Sequence, residues 1–230
     1  MRPAPWDARA YGTGHRATVG RVPAELGDDY VEELVPLGDE PLRIFRPRDF
    51  EALLTDEAFE REELLPYWAE LWASGVALAW EVCVRSLRGA RTLELGCGLA
   101  LPSIAAARAG GRVTATDWSR EAVELAAANA ELNGASVQAE VQSWAEPDAL
   151  VERAPWDLVL AADVLYEHAN VGLLLELLPR LVGGRGEVWL ADPGRNPAEE
   201  FIERADRIFE RRSIRSAKQP RVQVHRLRLR

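Results

Sequence analysis

The chain has 230 residues, of which 47% are hydrophobic and 28% charged, a composition typical of one soluble globular domain or of one domain with an added arm. Its formal net charge of −9 at pH 7 argues against a general nucleic-acid-binding protein, because phosphate backbones attract basic surfaces. No stretch predicts a transmembrane helix, the first residues lack the apolar run of a signal peptide, and two cysteines support no disulfide framework. We therefore expect a cytoplasmic protein with neither nucleic acid nor a membrane as its partner.

The first part of the chain has a looser pattern than the rest. We interpret residues 1–64 as an N-terminal arm, in which EELVPLG and PLRIFRP, at 32–38 and 41–47, predict a small hairpin. The stretch LLPYWAELWASGVALAWEVCVRSL, at 64–87, then predicts a helix that leads into the main domain, residues 65–230.

From residue 91 onward, short apolar runs alternate with helical patterns, which is typical of a parallel sheet built from strand–helix–strand units. The expected strands are RTLEL, RVTATD, SVQAEV, DLVLAAD and EVWLAD, at residues 91–95, 112–117, 136–141, 157–163 and 187–192. The helices between them are marked by start and stop signals, namely Pro102 to Gly110, Ser119 to Asn133-Gly134, Val171 to Gly183-Gly184, and Asn196 to about Phe209. Two antiparallel strands are expected from about Ser213 to the end. The sequence thus predicts an α/β fold with a doubly wound, mostly parallel sheet.

The predicted topology brings several acids to one rim of the sheet. Ligands of open α/β sheets bind beyond the carboxyl ends of the strands, where the winding reverses. The first expected strand ends in Gly96-Cys97-Gly98, where missing side chains let a ligand approach the backbone, and three later strands end in Asp117, Asp163 and Asp192. Acids without nearby lysines suit a cationic, hydroxyl-rich ligand better than a phosphate.

The residues around the glycines distinguish between cofactors. A dinucleotide site needs a third glycine, but here Leu101 and Pro102 follow, while Glu94 stands two residues before the first glycine. A carboxylate there suits the ammonium of an amino-acid-like ligand, and Asp117 suits a ribose, so the pattern predicts S-adenosylmethionine (SAM). The alternative for Glu94 is a buried acid that backbone N–H groups satisfy.

At this point the chain resembles a known family. LELGCGLALPSIAAARAG and VTATDWSREAVELAAANAELNG are similar to the SAM-binding half of class I methyltransferases, whose Rossmann-like sheet has seven strands. PYWAELWASGVALA, ADVLY at 162–166 and LADPGR at 190–195 resemble segments of methyltransferase family 16, which consists largely of protein-lysine methyltransferases. LADPGR is similar to the branch that acts on the beta subunit of electron-transfer flavoprotein.

The resemblance implies a set of cofactor-binding residues. Glu94 and the turn Gly96-Cys97-Gly98 are expected to hold the methionine part of SAM, Asp117 its ribose and Trp118 its adenine. The remaining residues expected to line the SAM pocket are Trp72, Ser143, Trp144 and Ala162. The family more often has an acid before that second tryptophan, and both Trp118 and Trp144 have simple packing as their alternative.

The same resemblance implies an acceptor site. Asp163 and Tyr166 are expected to face the acceptor lysine as the catalytic residues, and Asp192 and Arg195 to shape the substrate entrance. The alternatives are a core position at a helix end for Tyr166, and a surface charge or a loop-fixing hydrogen-bond donor for Arg195.

We therefore expect a SAM-dependent N-methyltransferase that acts on an accessible lysine of a protein substrate. A small-molecule N-methyltransferase and a catalytically silent SAM-binding module remain as alternatives. No metal is expected, because the sequence has no zinc-like Cys/His spacing and no clear set of oxygen ligands.

Overall fold

The computed structural model describes residues 29–49, 53 and 66–230, and most of these form a sheet flanked by helices. The strands are β1 (Tyr30–Val35) and β2 (Leu42–Pro47), which form a separate hairpin, and then β3 (Arg91–Leu95), β4 (Arg112–Asp117), β5 (Val137–Val141), β6 (Trp156–Ala162), β7 (Val182–Asp192), β8 (Phe209–Arg215) and β9 (Gln223–Leu229). The seven-stranded sheet has the order β5-β4-β3-β6-β7-β9-β8. Strands β3 to β7 are parallel, and β9 is antiparallel to both of its neighbours. The doubly wound, mostly parallel sheet is therefore confirmed.

The helices cover both faces of this sheet. They are α1 (Ala73–Cys83), α2 (Leu101–Arg108), α3 (Arg120–Leu132), α4 (Asp148–Glu152), α5 (His168–Leu181) and α6 (Asn196–Ala205). One buried core joins α1, α2 and α3 to the sheet, and a second core joins α5 and α6 to its other face. Within the described residues, no helix has the length and apolar character needed to span a bilayer.

The hairpin predicted in the N-terminal arm is present, and α3 holds it in place. Asn129 accepts from Phe45 N at 2.7 Å through Oδ1 and donates to Phe45 O at 3.1 Å through Nδ2. Asn133, one helical turn later, makes the same pair of bonds to Arg43 N and O. The two amides thus satisfy backbone groups as a neighbouring strand would, and Leu42, Ile44 and Phe45 join the first core. The predicted boundary between residues 64 and 65 lies outside the described residues.

The helix predicted from residue 64 is shorter than expected. A 3-10 turn spans Tyr67–Ala69, and α1 begins only at Ala73, after Trp72 in an extended conformation. The Trp72 indole N–H donates to Tyr67 O at 2.7 Å. This bond fixes a loop at a place where the hydrophobic pattern alone indicates a continuous helix.

Three further boundaries differ from the sequence prediction. Gly183-Gly184 does not stop α5, because the chain passes from Leu181 directly into β7, and the glycines belong to an irregular part of that strand. A Cβ on Gly186 would lie 2.5 Å from Trp156 O, so close strand approach accounts for that glycine. The last helix ends at Ala205 and Phe209 already begins β8, whereas the short helix α4 was not predicted at all.

Candidate active site

Four buried acids lie at the carboxyl ends of four neighbouring strands. Glu94 on β3 is 1% exposed, and Asp117, Asp163 and Asp192, at or just after the ends of β4, β6 and β7, are 4%, 8% and 1% exposed. Glu94 pairs in register with Ala115, which places Glu94 and Asp117 on the same face of the sheet because side chains alternate along a strand. The predicted gathering of acids at one rim is therefore present in the structure.

The glycine turn after β3 depends on close backbone approach. Gly96 and Gly98 have φ values of 65° and 46°, in the left-handed region that glycine adopts without strain. A Cβ on Gly98 would lie 3.0 Å from Trp68 O. Cys97 between them is buried, its N–H donates to Thr116 O at 2.9 Å, and burial raises the pKa of its thiol well above the usual range. Cys97 therefore contributes backbone and packing to the turn, not a thiolate.

Glu94 connects the first strand of the sheet to α2. Its Oε2 accepts from Ser103 N at 2.9 Å and also from the Ser103 hydroxyl. Burial is the main reason that the pKa of Glu94 rises to about 8; the nearby Asp117 charge acts in the same direction, and the two Ser103 bonds act against it. These contacts are those of the buried-acid alternative, so a contact between Glu94 and a ligand ammonium remains a proposal. Ser103 had not been singled out from the sequence.

Asp117 is held by main-chain donors. Its Oδ2 accepts from Gly98 N at 3.0 Å and its Oδ1 from Ser119 N at 3.1 Å. Burial raises the pKa of Asp117, and the backbone N–H groups partly offset that effect. The acid therefore ties the glycine turn to the start of α3, where Ser119 caps the helix as predicted by accepting from Ala122 N. Trp118 beside it is 47% exposed, which leaves an aromatic face open next to Asp117.

The segment after β5 contributes the second expected tryptophan. A Cβ on Gly96 would lie 3.2 Å from ring atom Cζ2 of Trp144 and equally close to a methyl group of Val164. Trp144 therefore packs over the glycine turn. The Ser143 hydroxyl accepts from Ala145 N at 3.2 Å, so in this conformation it stabilises its own turn.

Asp163 follows β6 in the left-handed region, with φ of 55°, which aspartate adopts more readily than most residues. Its backbone N–H donates to Ala191 O at 3.0 Å. Its Oδ1 accepts from Arg195 Nε at 3.2 Å and from Arg195 Nη2 at 2.8 Å. Ala162, the last residue of β6, is half-buried just before this turn.

Asp192 shapes the loop that carries Arg195. Its Oδ1 accepts from Gly194 N at 2.6 Å and from Arg195 N at 2.8 Å. Its Oδ2 is buried without a hydrogen-bond partner among the described residues. Burial is the main reason that the pKa of Asp192 rises to about 6, and the Asp163 charge adds to it. Asp192 thus fixes the position of Arg195 through the backbone.

A chain of aromatic rings borders the Asp163–Arg195 pair. The Arg195 guanidinium carbon lies 5.7 Å from the centre of the Trp72 ring, and Trp72 meets Tyr67 edge-on at 6.2 Å. Tyr67 in turn lies 5.3 Å from Tyr166, whose pKa is raised to about 12, chiefly by burial. The resemblance assigns Trp72 to the SAM pocket, and nothing in the sequence singles out Tyr67. In the structure Trp72 lies beside the Asp163–Arg195 pair.

Across residues 29–49, 53 and 66–230, no group of three or more His, Cys, Asp or Glu side chains is arranged to hold a metal ion.

The order of the strands, the glycine turn after β3 and the buried acids at one rim define the class of this protein as a Rossmann-like, doubly wound α/β protein. A family model described as lysine methyltransferase matches residues 66–208, which is more than half of the chain. The chain therefore belongs to this family, methyltransferase family 16.

Comparison with known proteins agrees with that assignment. The chain is 35% identical over 134 residues to an electron transfer flavoprotein beta subunit lysine methyltransferase of Xenopus laevis, a match that covers 56% of this chain and 53% of the relative. It is 34% identical over 130 residues to the protein N-lysine methyltransferase METTL21A of Danio rerio, with 54% and 59% covered. The chain thus spans little more than half the length of these curated relatives.

Solved structures support the fold. The T. thermophilus 16S rRNA N2 G1207 methyltransferase, in complex with AdoMet and guanosine, superimposes with a TM-score of 0.62 at 16% identity, over 87% of this chain and 51% of that chain. At this level of identity the likeness concerns the fold alone.

Proposed function

We propose that the chain is a SAM-dependent N-methyltransferase whose acceptor is a lysine side chain of a protein substrate. The observation that carries this proposal is a cation site next to the glycine turn. A guanidinium lies between the buried Asp163 carboxylate and the Trp72 ring, and Val164, the residue after Asp163, lies against Gly96. A carboxylate and an aromatic face are the groups that bind an ammonium ion.

The cofactor side fits SAM by the chemistry of its groups. Gly96 and Gly98 present backbone that a side chain would block, and Asp117 offers a carboxylate for ribose hydroxyls beside the open face of Trp118. Glu94 lies behind the same turn, where a positive charge on the ligand would favour its ionised form. SAM supplies a methyl group on a sulfonium, which is already a good leaving group, so the protein contributes mainly by positioning.

On the acceptor side, Asp163 is proposed to bind and orient the incoming ammonium, and Tyr166 to align its nitrogen. The lysine must become neutral before it attacks, and its ordinary pKa is about 10.4. The ammonium therefore gives a proton to water. The freed lone pair then attacks the methyl carbon in line with the breaking carbon–sulfur bond, whose electrons stay on sulfur.

A labelled-methyl assay tests the proposal directly. Purified protein is incubated with methyl-labelled SAM and a cell lysate, and transfer to one protein band is expected. Asp163→Ala is expected to abolish this transfer while SAM affinity changes only a few-fold. Asp148→Ala, at an exposed acid on α4 with one long ion pair of 3.9 Å, is the matched control and keeps full activity.

The same assay separates the alternative functions. A labelled small molecule without a labelled protein would indicate a small-molecule N-methyltransferase. Binding of SAM without any transfer would indicate a silent binding module. A large loss of SAM affinity in Asp163→Ala would instead assign Asp163 to the cofactor side.

A further inference from the structure

The two oxygens of the Asp163 carboxylate have different surroundings. Both guanidinium bonds from Arg195 go to Oδ1, at 3.2 and 2.8 Å. Oδ2 makes no hydrogen bond to any residue in the described part of the chain, yet it is not among the fully buried unpaired atoms. One oxygen is therefore occupied by a cation, while the other is open to an arriving ligand.

Arg195 is fixed at both its ends. Its backbone N–H donates to Asp192 Oδ1 at 2.8 Å, and its guanidinium stacks near Trp72. Its side chain is only 28% exposed, and helix α6 begins at the next residue. These contacts favour an arginine that stays on Oδ1 while an acceptor nitrogen approaches Oδ2.

The acceptor poses an electrostatic problem that this arrangement addresses. An unpaired carboxylate beside a lysine stabilises the charged ammonium and therefore opposes the loss of its proton. A carboxylate that is already paired with a guanidinium can still accept a hydrogen bond. The pair as a whole has almost no net charge, so it stabilises the lysine ammonium much less than a free carboxylate does.

We propose that Arg195 is a charge-balancing residue, which neutralises Asp163 so that the acceptor lysine docked on Oδ2 can lose its proton. This inference rests on the proposed lysine methyltransferase function. It makes Arg195 a positioning and tuning residue, since it acts on the acceptor through Asp163.

The other charged and titratable groups at this site do not replace Arg195. Asp192 is a second acid beside Asp163 and adds negative charge, since its pKa of about 6 leaves it ionised at neutral pH. Tyr166, with a pKa of about 12, stays neutral in the range where a lysine titrates. The charges of Glu167 and Asp117 also act on Tyr166, and Tyr67 presents a ring from the opposite side. Arg195 bonds both acids of this group, Asp163 through its guanidinium and Asp192 through its backbone N–H.

The proposed step needs no additional reactant. The ammonium transfers one proton to water, which becomes hydronium, and the neutral amine keeps its lone pair. That lone pair forms the new nitrogen–carbon bond as the carbon–sulfur bond breaks toward sulfur. Asp163 and Arg195 remain a neutral pair throughout.

A pH profile of kcat at saturating acceptor and SAM tests the inference, because kcat reports ionisations within the bound complex. The acceptor is the protein labelled in the lysate assay, with N-acetyl-lysine amide as a minimal acceptor in parallel, and rates are measured from about pH 6.5 to 10.5. Arg195→Gln keeps a hydrogen-bond donor but removes the charge, and it is expected to move the apparent pKa of the acceptor upward by roughly one unit or more. Arg195→Lys restores a charge and is expected to return the profile toward that of the natural protein.

Two controls separate charge balance from a structural role. Arg204→Gln removes one charge from the exposed face of α6 and is expected to leave the profile unchanged. Melting temperature and SAM affinity are compared for every variant, so that a misfolded protein is recognised. A uniform loss of rate in Arg195→Gln without a shift of the profile would overturn the inference, as would an equal shift in Arg204→Gln. If no lysine is methylated at all, the proposed function itself fails and this inference with it.

Discussion

The candidate site has a half proposed for the cofactor and a half proposed for the acceptor, and Asp117 and Asp163 in these halves are held in different ways. In the cofactor half, Asp117 accepts from the backbone of Gly98 and Ser119, and Glu94 accepts from Ser103 N. In the acceptor half, Asp163 is held by the side chain of Arg195, 32 residues further along the chain. Both bonds to the Asp117 carboxylate come from the main chain within the fold, whereas both bonds to the Asp163 carboxylate come from a side chain that a separate loop supplies.

This difference suggests where each half can change. Backbone N–H groups are present whatever the side chain is, so the bonds to Asp117 survive a substitution as long as the new residue preserves the backbone conformation of the turn. Side-chain contacts can be exchanged without altering the sheet, which is how one fold serves many acceptors. Variants in each half therefore test whether the two are independent.

The largest effect is expected from the ionisation of Glu94. Its folded-state pKa of about 8 lies above the ordinary value of 4.5, so the folded ligand-free protein binds a proton that the unfolded chain has lost. This contribution to stability is complete below about pH 4.5 and is lost as the pH rises through about 8. Glu94→Gln mimics the protonated acid, so relative to the natural protein it should gain on the order of a few kcal/mol between pH 5 and 8. Urea denaturation at several pH values measures the difference, with Asp148→Asn as an exposed control.

The same acid links stability to cofactor binding. A cationic ligand near Glu94 favours the ionised carboxylate, so SAM binding at pH 7 should release a proton. Calorimetry in two buffers with different ionisation enthalpies detects that release, and it should disappear in Glu94→Gln. An unchanged proton release in the variant would mean that another group in the cofactor half titrates.

Sequence alone predicted much of the cofactor half because its partners are close in the chain. Gly98 and Asp117 are 19 residues apart, and Glu94 and Ser103 are nine apart, distances set by one strand–helix–strand unit. The spacing therefore indicated the two acids and the glycines correctly as neighbours. The donors to Glu94 were missed, because a serine in the first turn of a helix also fits an ordinary capping or packing role.

Gly98→Ala should have the next largest effect, and it should act on the cofactor half. The new Cβ would lie 3.0 Å from Trp68 O at a φ of 46°, and such backbone strain costs about 1–3 kcal/mol. If that cost falls on the conformation that binds SAM, the dissociation constant should rise by roughly tenfold to hundredfold. Calorimetry with SAM or its demethylated product provides the measurement.

Gly172→Ala is the matched control for that variant. A Cβ at this position of α5 meets no atom within 4 Å, and alanine in a helix is more favourable than glycine by about 0.5–1 kcal/mol. The control should melt higher and bind SAM normally. Equal SAM affinity in both variants would show that the turn after β3 tolerates a side chain.

Fewer contacts of the acceptor half could be predicted from the sequence. The resemblance indicated Asp163, Tyr166 and Arg195, but neither the Asp163–Arg195 pair nor the aromatic chain follows from any local spacing. The resemblance assigns Trp72 to the cofactor, whereas in the structure its ring lies beside the Arg195 guanidinium, where the 3-10 turn and the Trp72–Tyr67 hydrogen bond hold it. This placement is a tertiary effect that hydrophobic periodicity does not record.

Trp72→Phe distinguishes between these two assignments. The smaller ring loses the hydrogen bond to Tyr67 O and part of the face beside the guanidinium, together worth about 1–2 kcal/mol. If Trp72 belongs to the acceptor half, kcat/KM for the lysine acceptor should fall roughly tenfold, with little change in SAM affinity. If SAM affinity falls and the acceptor parameters do not, Trp72 is a cofactor residue.

The smallest effect is expected from Trp118→Ala. The indole is 47% exposed, so its removal leaves little cavity, and the change in unfolding free energy should stay within about 0.5 kcal/mol. Its remaining role would be to stack on the adenine, and loss of one such contact costs about 0.5–1.5 kcal/mol, or a few-fold to tenfold in SAM affinity. Trp118→Phe retains an aromatic face and should recover most of that loss. Unchanged affinity in the alanine variant would show that the cofactor half depends on the backbone and its acids alone, which would make the contrast between the two halves sharper still.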